Sequence, residues 1–437
     1  MSAAQRVAYL GGSFSIGVFA AFNNFTLTLW LATFTSSYFL LGLLGNTRSF
    51  EGTIISPAVG VWSDRVWAGW LGRRRVFILA GGLLSALLLA LTPLVSRAPL
   101  PAALAGLPPA AAALAVPVAM IFLFTVTYNG MDDIHKALLV DVTTPVERNR
   151  LSAWSVVVSM AGQVGILVLG FALWRDGVPD SAFVITALLM AAGVALCVLG
   201  VREPPPAAWA ADRRREAAAE GPRPSALALL RLYRGAAIFC LVTFAYWSGV
   251  NAVLPLVSVY TRDILGASVG EAQLLPSLLL LSTTLLALPM AGLGDRYGKR
   301  RVIAAGYAIM GAAALAALVI TTREQGALVF LVAGAGNAAS VVLTVPLLAD
   351  LVPRPHAGAA TGLLAASGSA AAPLASLLAG ALADVYGPRA IFAFMAAMIL
   401  LALALLPAVR PPAALEAPYD VPVGRPGAPP LEALSHD

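Results

Sequence analysis

Charge is scarce in this sequence. Of 437 residues, 11% are Asp, Glu, Lys or Arg, against about 25% in a soluble domain whose surface must meet water. That shortage excludes an ordinary soluble fold. Cysteine is nearly absent too: Cys197 and Cys240 both lie in apolar stretches. They form no C-x-x-C pair and no disulfide framework, which removes thiolate metal sites and redox chemistry from consideration. With only three histidines, and no H-E-x-x-H, G-x-S-x-G or complete phosphate-binding loop, the chain also lacks the parts of the common hydrolases and NTPases.

What fills the space is apolar. Hydrophobic residues make up 59% of the chain, and the mean hydropathy is +0.84. A helix needs about 20 apolar residues to cross a bilayer. Such runs are expected at 10–34, 39–62, 76–97, 111–140, 151–174 and 182–201, and again at 236–260, 272–293, 301–321, 326–350, 357–383 and 389–408. The pattern is an all-α integral membrane protein of twelve spans, six in each half. The opening run has one arginine before it and no clear small-residue cleavage site after it. It therefore reads as a first span and not as a removed signal peptide.

The formal charge of +6 does not indicate nucleic-acid binding, because the basic residues fall in short clusters between spans and do not interleave with aromatics. With a cytoplasmic N-terminus, the outer loops hold Arg97, Arg175, Arg262, Arg323 and Arg389, and Arg48 and Lys136 fall within spans. The other 21 of the 28 lysines and arginines lie on the cytoplasmic side. The positive-inside rule then places both termini in the cytoplasm. Four segments follow: a first bundle at 1–201, a Pro-, Ala- and charge-rich cytoplasmic linker at 202–235, a second bundle at 236–408 and a proline-rich disordered tail at 409–437.

The two halves echo each other. "GVWSDRVWAGWLGRRRV" (Gly60 to Val76) follows the second span, and "AGLGDRYGKRRV" (Ala291 to Val302) follows the eighth. Each has Asp-Arg, then Gly, then three basic positions. "ALLVDVTTPVERNRLSAW" (Ala137 to Trp154) and "PLLADLVPRPHAGAATGL" (Pro346 to Leu363) form a second such pair after the fourth and tenth spans. The Gly-rich basic loop is not a phosphate loop: the G-x-x-x-x-G-K spacing is missing, and Arg300 stands where Ser or Thr would bind magnesium. Structural repeats of this kind build transporters that alternate access around a central site. Asp64, Arg65, Arg73, Arg74 and Asp141 in one half, and Asp295, Arg296, Arg300 and Asp350 in the other, are the candidate cytoplasmic gate.

These loops resemble the signature loop of the major facilitator superfamily, twice, at the expected places. The stretch "SPAVGVWSDRVWAGWLGRRRVFI" further resembles the sucrose–proton and glycoside–cation symporters, with Val76 where many relatives have proline. The resemblance implies the major facilitator fold and transport of a small solute, a sugar or glycoside, with a proton or sodium as coupling ion. It implies no cofactor, no metal and no nucleic acid, and a monomer in the plasma or inner membrane.

Two charged groups lie within spans. In "GNTRSFEGTIISP", Arg48 and Glu51 are three residues apart and near mid-membrane, since Arg48 lies about 21 Å from Trp62 at helical rise. Charges there usually face a cavity and pair with each other. In "NGMDDIHKALLVD", Asn129, Asp132 or Asp133, and Lys136 share a helical stripe. Asp132 and Lys136 have the favourable acid-before-base i, i+4 order. Lys136 matches a basic residue that in the symporters is an arginine implicated in substrate and proton handling. A lysine lacks arginine's planar grip. His135 points about 100° away and reads as a satisfied polar residue. Two readings of this stripe stand: a proton-coupling device inside the membrane, or the wet end of a long span with Lys136 at the headgroups.

The second half has no comparable acid in its spans. Its candidate cavity contacts are Tyr246, Trp247, Asn251 and Asn337, matched in the first half by Asn23, Asn24, Trp30 and Asn129. Aromatic stacking and amide hydrogen bonds suit a neutral polyhydroxylated solute. The competing expectations are an efflux carrier for hydrophobic solutes on the same fold and a non-transporting membrane sensor or scaffold.

Overall fold

The computed structural model of the protein describes residues 1–46, 59, 62–63, 65–98, 109–205, 226–353 and 356–410. Among the described residues the chain is helical, with no strand. In chain order the helices are α1 (Ala3–Ala21), α2 (Leu27–Leu31), α3 (Tyr38–Gly45), α4 (Arg75–Ser96), α5 (Pro109–Val142), α6 (Pro145–Leu173) and α7 (Asp180–Gly200). After the linker come α8 (Ala226–Leu232), α9 (Arg234–Val253), α10 (Val257–Leu265), α11 (Val269–Tyr297), α12 (Lys299–Ala316), α13 (Arg323–Ala349), α14 (Ala357–Tyr386) and α15 (Ala390–Leu405).

Among the described residues, ten helical stretches are long and apolar enough to cross a membrane. The 18-residue α12 lies where the ninth span is expected, and α3 opens the second. Most of that second span, with Arg48, Glu51 and Asp64, lies outside the described residues, as do linker residues 206–225 and the tail from 411. The first span starts earlier than hydropathy alone suggests, at Ala3, because Ser2 and Gln5 form a capping box that holds the helix start in the polar region.

Two spans are interrupted. A π-helical turn, Phe22–Thr26, separates α1 from α2. Residues 254–256 separate α9 from α10, since Pro255 lacks the N–H that a continuous helix needs.

Packing follows the two halves. In the first, α1 lies against α6 and α7, and α4 against α5 and α7; in the second, α11 and α12 lie against α13, and α9 against α14 and α15. Close approach depends on small residues, as is usual between membrane helices. A Cβ at Gly17 would stand 1.8 Å from the Ser159 carbonyl oxygen, so α1 and α6 touch backbone to backbone there. Gly306 and Gly336 do the same for α12 and α13.

Among the described residues, most hydrogen bonds between the halves lie at the end far from the N-terminus. Thr26 donates to Gln273 at 2.7 Å, and Tyr38 to Asp263 at 3.1 Å. Asn46 donates to the Ala372 carbonyl at 2.8 Å, and Asp384 accepts from α3. Deeper, Thr284 donates to the Met160 sulfur at 2.7 Å. The far end is the closed end.

Candidate functional site

Helix α5 carries the charged stripe of the first half. Lys136 Nζ lies 3.0 Å from Asp132 Oδ2 and 3.4 Å from Asp133 Oδ1. The burial is one-sided: the Asp132 side chain is 3% exposed and that of Lys136 63%. One turn and a half beyond Lys136, Asp141 receives Arg73 and Arg74, at 2.5 and 2.9 Å. From Asp132 to Asp141 is about 13–14 Å along the helix. The rest of the stripe is tied to α1. The His135 ring stacks on Tyr9 at 4.3 Å and lies 3.1 Å from the Tyr9 carbonyl oxygen. Tyr128 stacks on Phe19 and donates to the Ile16 carbonyl. His135 is thus a pin between two helices, and the helix it holds presents Asn129, buried like Asp132, on the same side.

In the second half, α9, α13 and α14 line an open groove of about 480 Å³. Its polar groups are Thr243, Trp247, Asn251, Ser340, Thr344, Thr361 and Ser369, with no charge among its lining residues. Asn251 is oriented by donating to the Trp247 carbonyl at 2.8 Å. The expected contacts Tyr246 and Asn337 are elsewhere: both are buried, and Tyr246 donates to Asn337, which donates to Thr283 at 3.1 Å. Tyr307 stacks on Tyr246 at 4.7 Å. This network braces the wall behind the groove and leaves Trp247 and Asn251 facing it.

The first-half aromatic and amide candidates separate similarly. Trp30 is buried in an edge-to-face cluster with Phe34 and Phe183. Asn23 and Asn24 sit on the π-helical turn, where Asn23 donates to the Gly45 carbonyl at 3.4 Å. The buried Oδ1 of Asn23 has no hydrogen-bond partner. A π turn is a frequent feature of functional sites.

At the near end the two sequence echoes occupy matching places. Arg73 and Arg74 bind Asp141 in the first half; Lys299 binds Asp350 at 2.7 Å in the second. Arg75 donates to the Val198 carbonyl, and Arg300 to that of Val409, each at the last turn of its half. Arg65, Asp295 and Arg296 are exposed. One participant was not among the expected residues. Glu203, 3% exposed, accepts the backbone N–H groups of Arg73, Arg74 and Arg75 at 2.8–3.1 Å and so caps the start of α4. The signal was in the sequence: "VREPP" after the first half and "VRPP" after the second differ by this one glutamate.

Comparison with known proteins now has a geometry to be set against. Residues 239–436 match the family model of the Major Facilitator Superfamily. A D-xylose–proton symporter structure superposes with a TM-score of 0.69 at 16% identity, covering 92% of this chain and 96% of the other. A bacterial homologue of the iron transporter ferroportin, inward-facing, gives 0.70 at 13%, covering 94% and 99%. The nucleoside transporter NupG gives 0.66 at 14%, covering 93% and 99%. This is the major facilitator fold. Among curated proteins no sequence matches the chain. The groove and the α5 stripe lie on helices of different halves.

Proposed function

We propose that the chain is a secondary active transporter of the Major Facilitator Superfamily, moving a small neutral polyhydroxylated solute, a sugar or glycoside, by proton-coupled alternating access. The observation that carries this reading is the division of labour between the halves. The first sets a carboxylate pair against Lys136 on a membrane-spanning helix; the second lines a groove with hydroxyls, one amide and one indole. A lysine this exposed on a spanning helix faces water, in a cavity or at the headgroups, because exposure to hydrocarbon would cost several kcal/mol.

The residues act as follows. The Trp247 ring offers a flat face to the apolar side of a sugar ring, and Asn251, Ser340 and Thr344 exchange hydrogen bonds with its hydroxyls. Asp132 and Asp133 hold the transported proton in turn with Lys136. While Asp132 is ionised it binds the ammonium; once protonated it releases Lys136 toward solute or water. Arg48 and Glu51 on the second span are assigned to the same relay. Sodium in place of the proton is the alternative coupling ion.

The groove opens to the cytoplasm in this reading, both termini are cytoplasmic, and the protein sits as a monomer in the cell membrane. The test is uptake of labelled sugars into vesicles with and without an inward proton gradient. Gradient-dependent uptake that Asp132→Asn removes supports the reading; failure of every sugar together with gradient-driven dye extrusion replaces it with hydrophobic efflux. The feature that reading would draw on is a small apolar pocket of about 60 Å³, lined by Phe25, Leu254, Met310, Phe330, Phe392 and neighbouring apolar groups.

A further inference from the structure

The closed end of the molecule is held by an unusual contact. Helix α3 begins at Tyr38, and its first N–H groups, with no partner inside the helix, point across the boundary between the halves. The Asp384 carboxylate of α14 receives them. Its Oδ1 lies 2.6 Å from the Tyr38 nitrogen, and its Oδ2 lies 2.6 Å from the Ser37 hydroxyl and 3.1 Å from the Phe39 nitrogen. The N-cap serine, Ser37, meanwhile accepts from the Leu40 nitrogen, so donors on one helix end are shared between a local cap and a carboxylate from the other half.

We infer that Asp384 is a latch: its charge on the α3 N-terminus holds the far side shut, and release of that contact opens the molecule on that side. This rests on the transporter reading for its purpose, but the contact and its test do not require transport.

Three features make it a latch and not a chance surface contact. Charge-assisted bonds to a helix N-terminus are among the stronger polar contacts available at an exposed site. The helices are already in backbone contact below it: a Cβ at Gly380, one turn before Asp384, would stand 2.5 Å from the Tyr38 carbonyl oxygen and 2.8 Å from the Phe39 Cα. Farther along the same two helices, Asn46 donates to the Ala372 carbonyl and the Ser376 hydroxyl. The two helices are zipped from Asn46 to Ser37, and Asp384 closes the exposed end. The neighbouring charges, Arg262 and Asp263, are paired with each other at 2.7 Å, and Asp263 also accepts from the Tyr38 hydroxyl.

The experiment measures distance across the closed end. In a background with Cys197 and Cys240 replaced by alanine, spin labels at Asp176→Cys and Glu324→Cys report one exposed site at the closed end of each half, the first in a loop and the second in the first turn of α13. Pulsed electron paramagnetic resonance on the full chain in lipid nanodiscs, without solute, then compares wild type, Asp384→Asn, Asp384→Ala and Gly380→Ala. Wild type is expected to give mainly the short distance. Asp384→Ala should raise the ratio of long to short distances on the order of tenfold, and Asp384→Asn by less, since it keeps an acceptor but not the charge. Gly380→Ala, acting by contact alone, should also lengthen the distance, which shows that the labels report opening. An unchanged distribution in a monodisperse Asp384→Ala protein, while Gly380→Ala responds, overturns the latch. A lengthened distribution in a protein that transports no sugar supports the latch and counts only against the transport reading.

Discussion

The two halves share a fold and differ in where they keep their charge. In the first half, Asp132, Asp133 and Lys136 stand within α5, and Asp141 is nearly buried against Arg73 and Arg74. In the second, the equivalent near-end pair, Lys299 and Asp350, is 27% and 52% exposed, and the groove is lined by neutral groups. The first half keeps carboxylates buried beside basic groups, and the second keeps its groove free of charge. A transporter that couples an ion to a neutral solute can divide the work in this way, with the rocking of one bundle against the other joining the two tasks.

That division can be broken by mutation, and the largest effect is expected at Asp132. Asp132→Asn should lower gradient-driven uptake about 100-fold or more, the scale on which removal of a proton-transfer group acts, while solute exchange without a gradient survives. Loss of both in equal measure would remove Asp132 from the coupling role.

The near-end pairs give the next contrast. Asp141→Ala takes one carboxylate away from two arginines that are each less than a tenth exposed, at a cost of about 3 kcal/mol. Asp350→Ala, in the exposed pair, should cost about 0.5 kcal/mol. Thermal unfolding of the two variants in detergent, compared side by side, measures the difference; equal shifts would mean that burial does not distinguish the pairs.

Glu203→Ala should cost about 2 kcal/mol, because three backbone N–H groups lose a charged acceptor. The second half has no glutamate at the matching turn, so the effect belongs to the first half alone. A variant with wild-type melting would show that water replaces the cap. The smallest effect is expected at the groove: Asn251→Ala should weaken apparent solute affinity about tenfold with the gradient dependence intact, the loss of one or two hydrogen bonds. An altered gradient dependence would instead place part of the coupling in the second half.

Several elements were legible in the sequence because their causes are local. Hydropathy locates the spans, since each must fill about 30 Å of hydrocarbon by itself. The paired echoes mark Asp141 and Asp350 as equivalent positions, but spacing alone pointed to Arg300 in the second half, where the structure pairs Asp350 with Lys299 and turns Arg300 to the Val409 carbonyl. Tyr246, Asn337 and Trp30 show the limit. Residue type marked them as candidates for the cavity, yet they face inward to Thr283, Tyr307 and Phe183. A helix with apolar residues on most of its surface gives little periodicity from which to read its buried face.

By itself, then, the sequence determines that this chain lives in a membrane, and its paired loops point to a chain built twice over. These follow from composition, run length and spacing, each a property of a short segment against its solvent. Only the tertiary structure decides that the far end is closed, that Glu203 caps α4, and that Asp384 meets a helix 347 residues before it in the chain at Ser37. Those contacts join groups whose separate neighbourhoods say nothing of each other. They exist because glycine-lined helices from distant segments approach closely enough for unpaired backbone groups to find a partner across the gap.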